Sequence, residues 1–126
     1  MIVDDDIMIC EMLEKFFVKS GFEVLLAYGG NEAIGILRQG VMPGLVILDM
    51  KMPSGSGLDV LHEIHRMGIV LPVILLTGTI DAEKYSDTFK KLKFPKENIC
   101  YKPIELSILL NMVKKRLSLS HESSKE

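Results

Sequence analysis

No apolar run in this 126-residue chain approaches the length of a membrane span, and the N-terminus turns acidic at Asp4, where a secretory signal would carry positive charge. Both absences make the cytoplasm the simplest expected location, with no membrane partner. A basic excess is missing as well. The 15 Lys and Arg stand against 17 Asp and Glu, a formal net charge of -2, so the footprint of a direct nucleic-acid binder is not present in this segment. Cysteine is scarce: Cys10 and Cys100 are far apart and outside any C-x-x-C or zinc-type spacing, and they read as small core residues of a reduced compartment. There is no internal repeat. The Ser54-Gly55-Ser56-Gly57 run has neither G-x-G-x-x-G nor a P-loop Gly-Lys-Ser/Thr ending, and reads as flexible linkage.

What is present describes one soluble globular domain. Apolar residues make up 48% of the chain and charged ones 25%, and the length suffices to bury a continuous core. Met1-Ile2-Val3 is a short apolar run that stops at Asp4-Asp5-Asp6; Ile9, Met12, Leu13 and Phe16 then recur at helical spacing until Ser20-Gly21. Phe22 to Ala27 reads as a second strand, and Ala33, Ile34 and Leu37 mark a second helix before Gly40. Leu45-Val46-Ile47-Leu48 is uninterrupted and partly β-branched, the pattern of a strand covered on both faces, and it ends at Asp49. After the loop chemistry of Met52 to Gly57, Leu58, Leu61 and Ile64 mark a third helix.

Pro72 to Leu76 repeats the buried-strand pattern and ends at Thr77-Gly78. A fourth helix is expected over much of Asp81 to Leu92, broken by Phe94-Pro95; Ile99-Cys100-Tyr101 makes a last strand ending at Lys102-Pro103. Leu106, Leu110, Val113 and Leu117 mark the closing helix, and Ser118 to Glu126 is polar and Ser-rich. Five strands alternating with five helices predict an α/β fold, a parallel sheet covered on both faces.

In an open parallel sheet the carboxyl ends of the strands share one edge, and ligands bind where the strand order reverses. With the order 2-1-3-4-5, Asp5 and Asp49 become neighbours, and Thr77 and Lys102 line the other side. Converging carboxylates repel one another and raise their pKa values unless a cation neutralises them. Hard oxygen donors, few in number, suit Mg²⁺ better than zinc or a caged calcium. Lys102 and the Thr77 hydroxyl complement the oxygens of a phosphoryl group, whose transfer needs an aligned nucleophile and spread positive charge.

These pieces together resemble a response-regulator receiver domain of two-component signalling: Val3-Asp4-Asp5-Asp6, Val46 to Pro53 with Gly57, Leu75-Leu76-Thr77-Gly78 and Tyr101-Lys102-Pro103, each at a strand end. The resemblance implies a flavodoxin-like (βα)5 doubly wound sheet of order 2-1-3-4-5. Residues 1–118 would form the receiver, with 119–126 a polar tail or the start of a linker. It implies that Asp49 is the phosphoacceptor, that Asp5 and Asp49 bind Mg²⁺ directly with Asp4 helping through water, and that the Lys51 backbone carbonyl completes the metal site. Thr77 would be the switch hydroxyl, and Lys102 would contact the phosphoryl group and precede a cis bond to Pro103. The implied donor is a histidine kinase or phosphotransfer protein. Further partners would be a C-terminal output domain or downstream protein and a second copy of the chain in a homodimer.

The sequence departs from the family pattern at three places. The first strand is short, the approach to the last strand is Phe94-Pro95-Lys96-Glu97-Asn98, and Ile99 stands where many relatives carry an aromatic switch, a role that Tyr101 beside the lysine does not inherit. Plainer readings exist for single residues: Asp6 as a helix cap, Asp49 as a strand-ending turn residue, His62 and His65 as solvated helix surface. Among functions, the rivals are a phosphorylation-independent interaction module of the same fold and an aspartyl-phosphate phosphatase. The first has no need of the full constellation, and the second wants an Asp where Lys51 stands. The chain thus reads as a signalling phosphoacceptor rather than an enzyme acting on other substrates.

Overall fold

A computed structural model describes residues 1–52 and 55–124. Pro53 and Ser54 of the expected loop and the last two residues of the polar tail lie outside the described residues. In chain order the elements are β1 (Ile2–Val3), α1 (Ile7–Lys19), β2 (Leu26–Ala27), α2 (Gly30–Arg38), β3 (Val46–Asp49), α3 (Gly57–Met67), β4 (Val73–Thr77), α4 (Thr79–Lys84), α5 (Ser86–Lys91), a 3₁₀ turn (Lys96–Asn98), β5 (Ile99–Tyr101) and α6 (Leu106–Ser124). The strands are all parallel in the order β2-β1-β3-β4-β5.

Alternation along the strands divides the interior in two, because successive side chains point to opposite faces of a sheet. Val3, Val46, Leu48, Val73 and Leu75 pack with Ala33, Leu37, Val60, Leu61, Ile64 and Phe89 from α2, α3 and α5. Ile2, Ile47, Ile74, Leu76 and Cys100 pack on the other face with Leu13 and Phe17 of α1 and Leu109 and Val113 of α6. Each fully buried Leu or Ile contributes about 1.5–3 kcal/mol relative to exposure, so the two strands with unbroken apolar runs anchor both layers. Cys10 and Cys100 are buried and free. On the outer side of α2 and α3, the guanidinium groups of Arg66 and Arg38 bind Glu63 and hold its carboxyl well below the usual range.

Four elements differ from their sequence expectation, each for a local reason. The buried stripe of α1 is Cys10, Leu13 and Phe17, while Met12 is exposed. Apolar residues crowd this helix and leave several registers equally plausible by periodicity. β2 contains two residues rather than the whole of Phe22 to Ala27, since its sole partner β1 also offers two, though Phe22 and Val24 still pack on the core. The fourth helix is interrupted at Tyr85 (φ -105°, ψ 17°), giving α4 and α5. Ser86, Asp87 and Thr88 come directly after the break, and all three are weak helix formers whose side chains compete for backbone hydrogen bonds. α6 continues beyond Leu117 to Ser124; nothing in that stretch is Gly or Pro.

Two glycines have clear structural reasons. Gly21 follows α1 with φ +96°, the left-handed region expected at a helix C-terminus. Gly57 opens α3 with its N–H donating to the Met50 carbonyl at 2.8 Å, and a Cβ there would lie 2.6 Å from the Asp49 carbonyl oxygen. That contact is with backbone and cannot be relieved by a rotamer change. Gly57→Ala should cost about 1–3 kcal/mol by overpacking and lower the thermal midpoint by roughly 5–10 °C. An unchanged midpoint would show that α3 can slide away from β3 freely.

Candidate functional site

The topology delivers the strand-end residues to one edge. β1 lies between β2 and β3, so the chain leaving Val3 carries Asp4 and Asp5 alongside the end of β3, where Asp49 closes the strand. Carboxylate oxygens of Asp4, Asp5 and Asp49 all lie within 4.8 Å of one another. Asp4 and Asp49 are buried, whereas Asp5 is exposed. Asp6, the N-cap of α1, accepts from the Met8 N–H at 3.0 Å and the Ile9 N–H at 3.3 Å, and so serves the helix.

The three acids differ in how they are satisfied. Asp4 Oδ1 accepts from the Asp6 N–H at 2.9 Å, but Oδ2 is buried with no hydrogen-bond partner among the described residues. Burial pushes the Asp4 carboxyl up to about 6, against the pull of the Asp6 N–H, and the nearby Asp49 charge adds to the rise. Asp49 is raised too, chiefly by burial. Lys102 opposes that rise through a hydrogen bond and its charge, its Nζ standing 2.7 Å from Asp49 Oδ1. An orphaned buried oxygen beside two further carboxylates is what a small, hard divalent cation with oxygen ligands would satisfy. The donor set fits such an ion.

Lys102 follows β5, its N–H donating to the Thr77 carbonyl at 2.9 Å, and the Lys102–Pro103 peptide bond is cis. Thr77 itself is buried at the end of β4. Its hydroxyl does not reach Asp49 but meets the Met50 thioether sulfur at 3.2 Å and the Gly78 carbonyl at 3.3 Å. The Lys51 Nζ stands 3.2 Å from Asp81 in the first turn of α4. The expected set is therefore drawn together at Asp4, Asp5, Asp49 and Lys102, while Thr77 is adjacent and engaged elsewhere. His62 and His65 are exposed on α3.

Two contributors escaped sequence reasoning. Met50 reads only as one more apolar residue after the acid, and no feature of its type signals a contact with Thr77. Asp81 reads as a helix-start acid, and its pairing with Lys51 depends on where the β3–α3 loop lies.

The family described as response regulator receiver domain matches residues 1–114. The transcriptional regulatory protein ZraR of Salmonella typhimurium is 28% identical over 126 residues, a match taking in 100% of this chain and 28% of the relative. The chain thus spans about 28% of that protein's length. Among solved structures, a response regulator receiver domain protein from Clostridium thermocellum is similar at a TM-score of 0.81 and 27% identity, covering 95% of this chain and 94% of the other. A receiver domain protein from Methanospirillum hungatei, described as CheY-like, shares the fold at a TM-score of 0.84 and 24% identity, over 97% of this chain and 94% of the other. Among the described residues no helix is long and apolar enough to cross a membrane.

Proposed function

The chain belongs to the response regulator receiver domain family, and on that premise we propose that Asp49 takes a phosphoryl group from a phosphohistidine of a kinase or phosphotransfer protein and that the modified chain presents a changed surface to its partners. The observation that carries this reading is the buried Asp49 carboxylate, 2.7 Å from the Lys102 ammonium and grouped with Asp4 and Asp5. With Lys102 on Oδ1, the other carboxylate oxygen attacks phosphorus. A P–O bond forms, the P–N bond to the donor imidazole breaks, and the imidazole nitrogen is left to take up a proton. Lys102 then transfers its contact to a phosphoryl oxygen, and the Thr77 hydroxyl donates to another. Mg²⁺, held by Asp5, Asp49 and the Lys51 carbonyl with Asp4 acting through water, would supply the remaining positive charge. Water attacking phosphorus forms a new P–O bond and breaks the one to Asp49, releasing inorganic phosphate and restoring the carboxylate, so the chain catalyses only its own phosphorylation and dephosphorylation.

The surroundings accord with the same reading. In this reading residues 1–118 are the receiver and 119–126, into which α6 continues as far as Ser124, a polar tail or the start of a linker; the partners are an output domain or a separate downstream protein, and a second copy of the chain in a homodimer. The family is a signalling domain rather than a class of enzymes acting on other substrates. The work is done in the cytoplasm without direct nucleic-acid contact by this segment.

The test is incubation with acetyl phosphate and Mg²⁺ followed by intact mass. One phosphoryl adduct, labile to hydroxylamine and absent when the metal is chelated, is expected; no adduct under any condition would refute the reading. Mg²⁺ alone should raise the thermal midpoint through binding to the folded state. Asp5→Asn should weaken the Mg²⁺ affinity, read from the concentration dependence of that shift, at least about tenfold, because loss even of an outer-shell partner costs on the order of 10–100-fold. A full Mg²⁺-dependent shift in Asp5→Asn would remove Asp5 from the metal site.

A further inference from the structure

The Thr77 hydroxyl is held, in the unphosphorylated chain, by a group that has no part in the chemistry. We infer that Met50 is a positioning residue whose thioether parks the Thr77 hydroxyl and whose release on phosphorylation is felt at Tyr85, the break between α4 and α5. This rests on Asp49 being the phosphoacceptor.

Thr77 and Met50 are 2% and 3% exposed, so water does not compete for the hydroxyl proton. That proton has two acceptors within reach, the Met50 sulfur at 3.2 Å and the Gly78 carbonyl at 3.3 Å. A thioether is a weak acceptor, sufficient to satisfy a buried hydroxyl yet easily outcompeted by a charged phosphoryl oxygen. A carbonyl or carboxylate in place of the sulfur would hold the hydroxyl harder and oppose its transfer.

Met50 also has somewhere to go. It lines an open groove of about 330 Å³ together with Lys51, Met52, Leu58 and Tyr85. Methionine is unbranched and adapts to irregular space, so a side chain freed from Thr77 can repack there against the Tyr85 ring. Tyr85 sits at the one residue where the helical backbone between Thr79 and Lys91 is interrupted. A push at that joint moves α4 relative to α5 without deforming either, and it needs no aromatic ring at Ile99. The coupling runs through packed side chains and one exchanged hydrogen bond, a two-state arrangement that phosphorylation biases.

The experiment uses the whole chain with acetyl phosphate and Mg²⁺. Met50 is followed by its labelled ε-methyl NMR signal, assigned by its absence in Met50→Leu. Phosphorylation should move that signal to the position it already holds in unphosphorylated Thr77→Val. The chain contains no tryptophan, so Tyr85→Trp supplies a single reporter at the joint. Its emission should shift on phosphorylation, and in Met50→Leu/Tyr85→Trp at least about half of that shift should be present before phosphodonor is added. Intact mass on the same samples separates the two levels. An absent adduct refutes the Asp49 reading and this inference with it. An adduct that leaves the Met50 methyl unmoved refutes the Met50 role alone, as does Tyr85→Trp emission that is the same in both states with and without the Met50→Leu substitution.

Discussion

Asp49→Asn should take up no phosphoryl group from acetyl phosphate, a loss of roughly 10⁴-fold or more, the scale on which removal of a covalent nucleophile is felt. The substitution is nearly isosteric. Its amide oxygen can still accept from Lys102, as Asp49 Oδ1 does at 2.7 Å, so the fold has no reason to change. What disappears is the anionic oxygen that must attack phosphorus. The variant also relieves a buried charge, since burial already raises the Asp49 carboxyl against the pull of Lys102. Its thermal midpoint should therefore stay within a few degrees of the parent's, as read by calorimetry. An adduct of undiminished yield in a folded Asp49→Asn would place the acceptor elsewhere in the chain.

Lys102→Met keeps the apolar stem and removes the ammonium, and should slow adduct formation by about 10²–10³-fold, the cost of losing one donor to a developing oxyanion. The Mg²⁺-dependent rise in thermal midpoint should survive, because the oxygen donors are untouched. A pH signature distinguishes loss of charge from misfolding. In the parent, the Lys102 hydrogen bond and charge work against the rise in Asp49 pKa caused by burial. Without them the folded carboxyl titrates higher still. In the metal-free proteins the Asp49 carboxyl, followed by NMR, should therefore titrate higher in folded Lys102→Met than in the parent. Equal rates of adduct formation and equal Asp49 titrations in the two proteins would remove Lys102 from the reaction.

The contrast between the acids and the switch hydroxyl shows what sequence can convey. The runs Leu45 to Leu48 and Pro72 to Leu76 have the pattern of strands buried on both faces, and the residues that close them, Asp49 and Thr77, fall on the ligand-binding edge by topology. Convergence of Asp4, Asp5, Asp49 and Lys102 needs nothing finer than strand order. Partners chosen by rotamer and loop position were not legible: the Thr77 hydroxyl on Met50, Lys51 on Asp81, and the unpartnered Asp4 Oδ2. The fold's misreadings have the same origin. Periodicity could not select Cys10, Leu13 and Phe17 from the crowded apolar surface of α1, nor show that Tyr85 would divide the fourth helix, because tertiary packing decides both.

The most direct measurement is a crystal structure of the chain with Mg²⁺ and beryllium fluoride, a phosphoryl mimic. The expected result is the metal at about 2.1 Å from carboxylate oxygens of Asp5 and Asp49 and from the Lys51 carbonyl, with the mimic on Asp49 and the Lys102 ammonium moved onto a fluorine. A metal bound away from these acids, or Lys102 still seated on Asp49 Oδ1 beside an occupied site, would contradict it.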